Sequence, residues 1–285
     1  MQRFFLSQPA VRAGFALLLS GILALPAAAD RLLDRVAFAD TLGDRQSSFL
    51  ARDLATGERC ILAGSDLDTR HAPWSTFKIP NTLIALETGV AAGTDDWRDW
   101  DPAARPAAGY WPEAWRQGQT LGSAFQRSAV WYYRDLALEV GAPQYRAILM
   151  DWDYGNAEVP DGSDDFWLGA PLEISVTEQV RFLERLLSGD ISLGDEHLAG
   201  LIEVAEAGPI GDLTLYGKTG AGTVVPGQFS GPFEGWYVGW LMRDGAATAV
   251  FAHHAVAEDF SAIRSFRKDF AETLLLACGL AGDQG

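Results

Sequence analysis

The sequence predicts an α+β protein, with an antiparallel β-sheet flanked by terminal helices and an all-helical domain inserted in the middle of the chain. Strand-like alternation occupies both ends of the mature sequence, helical spacing fills the stretch between them, and an amphipathic stripe closes the C-terminus. From Ser47 to Ala63 the text reads strand, turn, strand: SSFLARDL, a break at Ala55-Thr56-Gly57-Glu58, then RCILA. Between about Ser75 and Gly208 the spacing is helical, as in Val180, Leu183, Leu186 and Leu187, and Ser175 with Glu178 forms a capping box ahead of that run. LTLYGKTG, GWYVGWLM and ATAVFAHHAV follow, the last two divided by the turn Arg243-Asp244-Gly245, which predicts an antiparallel meander. A last helix carries Ile263, Phe266, Phe270 and Leu274 on one stripe and stops at Gly279.

The expected organisation is a sheet domain from residues 30–73 with 209–285 and a helical domain over 74–208, with a cleft where the two meet. The stretch Asp95 to Gln119, rich in Trp, Pro, Ala and Gly, reads as a long surface loop with anchoring aromatics.

The first 29 residues stand apart. Arg3 and Arg12 precede an apolar run from Ala13 to Leu25, and Ala27-Ala28-Ala29 supplies a cleavage site before Asp30. That run is about 13 residues against the roughly 20 a spanning helix needs, so it predicts a cleaved secretory signal and a mature chain free of the membrane, in the periplasm. Loss of Arg3 and Arg12, with no acid among those 29 residues, takes the formal net charge from −16 to −18. A chain so acidic repels phosphate backbones and anionic lipid, which argues against nucleic acid as a partner. Export also permits a disulfide, and Cys60 and Cys278 leave both a bridge and two buried thiols open.

The chemistry centres on HAPWSTFKIPN, residues 71–81, where Ser75 and Lys78 lie three apart. A serine hydroxyl needs a base within reach, and positions i and i+3 of a helical turn share a face. Pro80 suits the first turn of a helix, which puts Ser75 at a helix start among free N–H groups. Lysine serves as a base only where apolar surroundings lower its pKa. Ser-x-x-Lys nevertheless arises about once by chance in a chain of this length. Ser265-Phe266-Arg267-Lys268 is such a decoy, and a plain helix cap also accounts for Ser75. Lys218-Thr219-Gly220, at the end of a predicted strand, adds a cation beside a glycine that admits close backbone approach.

Other site types find little support. His253 and His254 are adjacent on a predicted strand, so they face opposite ways and do not chelate one ion together. There is no His-Glu-x-x-His, no Gly-x-Ser-x-Gly elbow and no phosphate-cradling Gly-rich loop.

Ser-x-x-Lys followed far downstream by Lys-Thr-Gly resembles the penicilloyl-serine superfamily of β-lactamases and penicillin-binding proteins. STFKIPN, Ser128-Ala129-Val130, Tyr154-Gly155-Asn156, Phe166-Trp167-Leu168 and YGKTG, in that order, are similar to the class D serine β-lactamases, the oxacillinases. The resemblance runs from about residue 47 to 278. It implies hydrolysis of penicillin-type β-lactams, hence resistance, with no metal or organic cofactor.

It further implies that Ser75 forms the acyl-enzyme and that its N–H and that of Ala221 make the oxyanion hole. Lys78, N-carboxylated by carbon dioxide, would be the general base in a pocket of Phe77, Val130, Trp167 and Leu168, with the Trp167 indole donating to the carbamate. Ser128 would relay a proton to the leaving nitrogen, while Lys218, Thr219, Gly220 and Arg264 would bind substrate. Arg267 lies one turn from Arg264 on the same helix. Ala221 and the 95–119 loop depart from the usual pattern, which bears on substrate range. A β-lactam receptor that holds its acyl group, and a D,D-peptidase of cell-wall peptides, are the competing readings.

Overall fold

The computed structural model describes residues 30–282, so the predicted leader lies outside the described residues. In chain order the elements are β1 (Arg31–Leu33), α1 (Ala39–Leu42), β2 (Gln46–Asp53), β3 (Arg59–Leu62) and α2 (Lys78–Glu87), the last entered from a 3₁₀ turn over Trp74–Phe77. Next come β4 (Trp97–Arg98), β5 (Gln119–Thr120), α3 (Leu121–Arg127), α4 (Val130–Val140), α5 (Ala142–Asp151), α6 (Val176–Ser188) and α7 (Asp195–Ala205). The chain then returns through β6 (Glu206–Ile210), β7 (Leu213–Thr223), β8 (Phe233–Arg243) and β9 (Ala246–Ala257) to α8 (Phe260–Arg264) and α9 (Phe266–Ala277).

Seven strands form one sheet in the order β1-β3-β2-β9-β8-β7-β6. The predicted hairpin and meander both appear, and strands from the two ends of the chain meet where β2 pairs antiparallel with β9. Asp244 and Gly245 both take positive φ, 49° and 82°, as the right-handed twist of a tight β8–β9 hairpin requires. The parallel strand β1 was not foreseen; three residues are too few to show an alternation.

Strand alternation divides the core. Trp236, Val238, Trp240, Val250 and Ala252 face the helical layer, while Tyr237, Leu241, Ala249 and Phe251 face α8 and α9. The stripe Ile263, Phe266, Phe270, Leu274 is buried as expected, although Ser265 divides the helix in two. The capping box of α6 is complete: Glu178 N–H donates to Ser175 Oγ at 3.2 Å, and Ser175 N–H to Glu178 Oε2 at 2.9 Å.

The expected helical span ended at 208, but β6 begins at Glu206, because α7 passes into it without a loop. Helix α6 also lies against β9 and β2, so its apolar stripe covers the sheet. Cys60 and Cys278 are joined, with Cα atoms 6.0 Å apart, which ties the end of α9 to β3.

Helix α2 is the hub. Nine of its ten residues are buried, so this helix has no solvated face. Two of its polar groups are answered locally: Tyr145 Oη donates to Asn81 Oδ1 at 2.6 Å, and Thr82 Oγ1 lies 2.8 Å from Tyr133 Oη, while Asn81 Nδ2 is buried without a partner. The N-terminus of this buried helix points at the sheet and carries the Ser-x-x-Lys segment.

Candidate active site

Ser75 sits in the 3₁₀ turn and Lys78 is the first residue of α2, so the i, i+3 spacing brings the side chains together on one face. Lys78 Nζ lies 3.1 Å from Ser75 Oγ. The amine is fully buried, 4.9 Å from the centre of the Tyr133 ring. Burial, and next the charge of Lys218, push its pKa well below the ordinary lysine value. The decoy behaves otherwise: Lys268 is partly exposed and lies 3.7 Å from Glu272 on the outer helix.

Trp74, just before the nucleophile candidate, is held at φ 50°, a left-handed conformation costly for a bulky residue and characteristic of functional turns. Its N–H donates to Trp167 O at 3.0 Å and its indole to Glu234 Oε1 at 2.6 Å. Ser128 closes α3 at φ 60°, a second left-handed non-glycine residue in the predicted site.

Strand β7 passes close to the turn. A Cβ built on Gly220 would stand 2.9 Å from Pro73 O and 3.1 Å from Ser75 N, so only glycine lets the two backbones meet. Lys218, two residues away on the same face, is buried and donates to Thr219 O at 3.0 Å, with no carboxylate partner among the described residues. Burial, and then the charge of Arg267, lower its pKa to about 7. Thr219 and Ala221 are half-buried on the same strand.

Of the expected apolar pocket, Phe77 and Trp167 are fully buried and stacked at 5.4 Å, while Val130 and Leu168 are half-buried. The Trp167 Nε1–H is buried without an acceptor.

The two arginines of the closing helical segment differ in placement. Arg264 is exposed at the end of α8, whereas Arg267 turns inward and donates to Gly220 O at 2.7 Å. Helical spacing left the two a turn apart; the break at Ser265 and the docking of α9 on β8 decide between them. Burial and the charge of Arg264 lower the Arg267 pKa to about 10, so it stays cationic at neutral pH. Arg267 and Lys218 lie close enough for their charges to interact, a positive corner in an acidic chain. Tyr133 and Trp74 also escaped the sequence reading, since aromatic residues at helical spacing look like ordinary core.

Residues 47–193 match the family described as the penicillin binding protein transpeptidase domain. The probable β-lactamase YbxI of Bacillus subtilis is 33% identical over 206 residues, covering 72% of this chain and 73% of its own. β-Lactamase OXA-19 of Pseudomonas aeruginosa is 33% identical over 214 residues, 74% of this chain and 76% of its own. Among solved structures, the class D β-lactamase YbXI from Nostoc superposes with a TM-score of 0.75 at 26% identity, covering 85% of this chain and 98% of that one. The chain belongs to the class D serine β-lactamases.

The same fold is shared by a receptor: the C-terminal domain of the Bacillus licheniformis BlaR penicillin-receptor superposes at a TM-score of 0.77 and 26% identity, over 90% of this chain and 99% of that one.

In this class D β-lactamase the 95–119 segment is more ordered than a plain loop. The ribbon β4–β5 closes its base, and the Trp100 indole donates to Arg105 O at 2.9 Å. Arg105 bonds Asp135 at 2.7 Å and Asp164 at 2.6 Å, which ties the loop to the helical layer. At its tip Tyr110 meets Phe229 of the β7–β8 connection, ring centroids 6.0 Å apart, both rings largely exposed.

Proposed function

We propose that this class D β-lactamase is an exported, periplasmic hydrolase of penicillin-type β-lactams that confers resistance, working through an acyl-enzyme on Ser75 with an N-carboxylated Lys78 as general base. The observations that support the mechanism are the fully buried Lys78 amine, its pKa pushed down by burial, and the Trp167 Nε1–H left without an acceptor on a ring stacked against Phe77, the residue before Lys78. Only a neutral amine takes up carbon dioxide, and a buried donor without an acceptor is costly unless a carboxylate completes it. A carboxylated lysine supplies a base that returns to its starting state after each half-reaction.

Ser75 Oγ gives its proton to that base and attacks the lactam carbonyl. The Ser75 and Ala221 N–H groups receive the oxyanion, and Ser128 passes a proton to the leaving nitrogen. Lys218, Thr219 and Arg267 hold the substrate carboxylate. Water, activated by the same base, then releases the product. No step uses a metal.

Purified protein should turn over a chromogenic penicillin continuously, faster with added bicarbonate. The pH dependence follows from the two lysines. As pH falls through the depressed pKa of Lys78 its nitrogen gains a proton and loses the lone pair, so activity and the bicarbonate effect vanish together in acid. As pH rises past about 7 Lys218 loses charge and carboxylate binding weakens. Bicarbonate-independent turnover would sink the carboxylated base. The likeness to the BlaR receptor domain supports a second reading, a receptor that keeps its acyl group; a single stoichiometric burst would favour it. Raised penicillin tolerance in a susceptible host, with the protein recovered in the periplasmic fraction, tests resistance and export.

The choice of Arg267 over Arg264 has its own test. Arg267→Ala should lower kcat/KM for carboxylate-bearing β-lactams roughly 10- to 100-fold, the worth of a charge-assisted pair, while Arg264→Ala leaves it nearly unchanged. Equal effects of the two would overturn the assignment.

A further inference from the structure

Beside the acyl-transfer centre, three residues from separate segments meet that the proposed reaction does not use. Register places Trp236 opposite His254 and Glu234 two residues earlier, so alternation puts Glu234 and His254 on the sheet face toward the helices. His253 faces the other way, with ring nitrogens 2.8 Å from Ser47 Oγ and 2.8 Å from Arg267 O. His71 comes from the segment before the nucleophile and is pinned by Ile174, with backbone bonds of 3.0 Å and 2.9 Å.

We propose that His71, Glu234 and His254 form a binding site for one divalent transition-metal ion of the Zn²⁺ type. The expectation of no metal ligands rested on His253 and His254 facing opposite ways and on the lack of a His-Glu-x-x-His or zinc-like cysteine pair; the ring that meets His254 is His71.

Glu234 Oε2 lies 3.3 Å from His71 Nδ1 and 3.3 Å from His254 Nε2. Metal–ligand bonds of about 2.0–2.2 Å in a tetrahedron set ligand atoms roughly 3.3–3.6 Å apart. Two of the three edges therefore already have the closed length, and all three ligand atoms lie within 4.8 Å of one another. The imidazoles are stacked at 4.0 Å and 22°, so one must turn to aim its lone pair at the ion. His71 is the ring with room to do so, its side chain 28% exposed, and that open side admits the ion and a water as fourth ligand.

The Trp74 indole fixes the other Glu234 carboxylate oxygen at 2.6 Å, the kind of outer partner that orients a metal ligand. Through Trp74 an ion would brace β8 and β9 against the turn that carries Ser75. The ion is a brace, with no part in the acyl transfer, so its presence is read by metal content and not by hydrolysis.

The test uses purified, untagged protein stripped with a chelator, equilibrated with Zn²⁺ and passed over a desalting column. Elemental mass spectrometry should find one equivalent retained, and Co²⁺ in its place should show the visible absorption of tetrahedral coordination. His71→Gln and His254→Gln should lose the ion, and Trp74→Phe should weaken binding roughly tenfold. His197→Gln, at the separate surface pair with Glu87, should retain it. Circular dichroism checks folding, and if His254→Gln fails to fold, His71→Gln at the partly exposed position decides. Failure of folded wild type to retain zinc, retention unchanged in His71→Gln, or loss in His197→Gln would each overturn the site and leave the three residues a hydrogen-bonded cluster.

Discussion

Lys78→Ala is expected to lower kcat by about 10³-fold or more, near the upper end of what a general base contributes. Lys78 Nζ is 3.1 Å from Ser75 Oγ, and among the described residues no carboxylate or imidazole hydrogen-bonds that hydroxyl. Lys78 is the one side chain among the described residues with a hydrogen bond to that hydroxyl, which is why the proposed base is assigned to it. Steady-state kinetics should show the loss, intact-mass spectrometry should show whatever acyl-enzyme forms persisting, and bicarbonate should not restore turnover. Deacylation at the wild-type rate would refute the assignment. Lys78→Met separates chemistry from folding: a thioether of similar length removes a buried amine at little packing cost, so its thermal midpoint should equal or exceed wild type while activity is lost.

Gly220→Ala should cost roughly 10²–10³ in kcat, the loss expected when an oxyanion donor moves out of line. The added Cβ would meet Pro73 O at 2.9 Å, Ser75 N at 3.1 Å and Thr76 N at 3.1 Å, all backbone atoms that cannot swing aside. Strand β7 must then draw back from the turn, separating the Ala221 N–H from that of Ser75. The thermal midpoint should fall only by the equivalent of about 1–3 kcal/mol, as for other overpacked contacts. Gly109→Ala, where a Cβ meets nothing within 4 Å, is the control and should keep wild-type kinetics. Wild-type kcat in Gly220→Ala would show that the close approach is not part of the oxyanion site.

Features governed by near neighbours were legible. The β2–β3 hairpin, the β7–β8–β9 meander and the α6 capping box each follow from spacing or turn chemistry within a few residues, and each is present. Lys218 and Gly220 were legible as a motif, and the structure brings them to Ser75. Features that depend on how distant segments dock were not. Arg264 and Arg267 have the same local credentials, and only the packing of α9 turns the second toward Gly220. The Cys60–Cys278 bridge required a Cα separation that no spacing encodes. His71, Glu234 and His254 looked like unrelated polar residues until the sheet register and the His71–Ile174 bridge assembled them.

The two Ser-x-x-Lys segments draw the boundary. Residue types and spacing alone set the serine and lysine three apart in both, together with the helical turn that lets them face each other. Tertiary structure separated them: Lys78 is fully buried and burial pushes its pKa well below the ordinary lysine value, while Lys268 is partly exposed with Glu272 beside it. The reason is physical, because helix and strand patterns arise from interactions a few residues long, whereas desolvation is set by whatever the rest of the chain packs against the site.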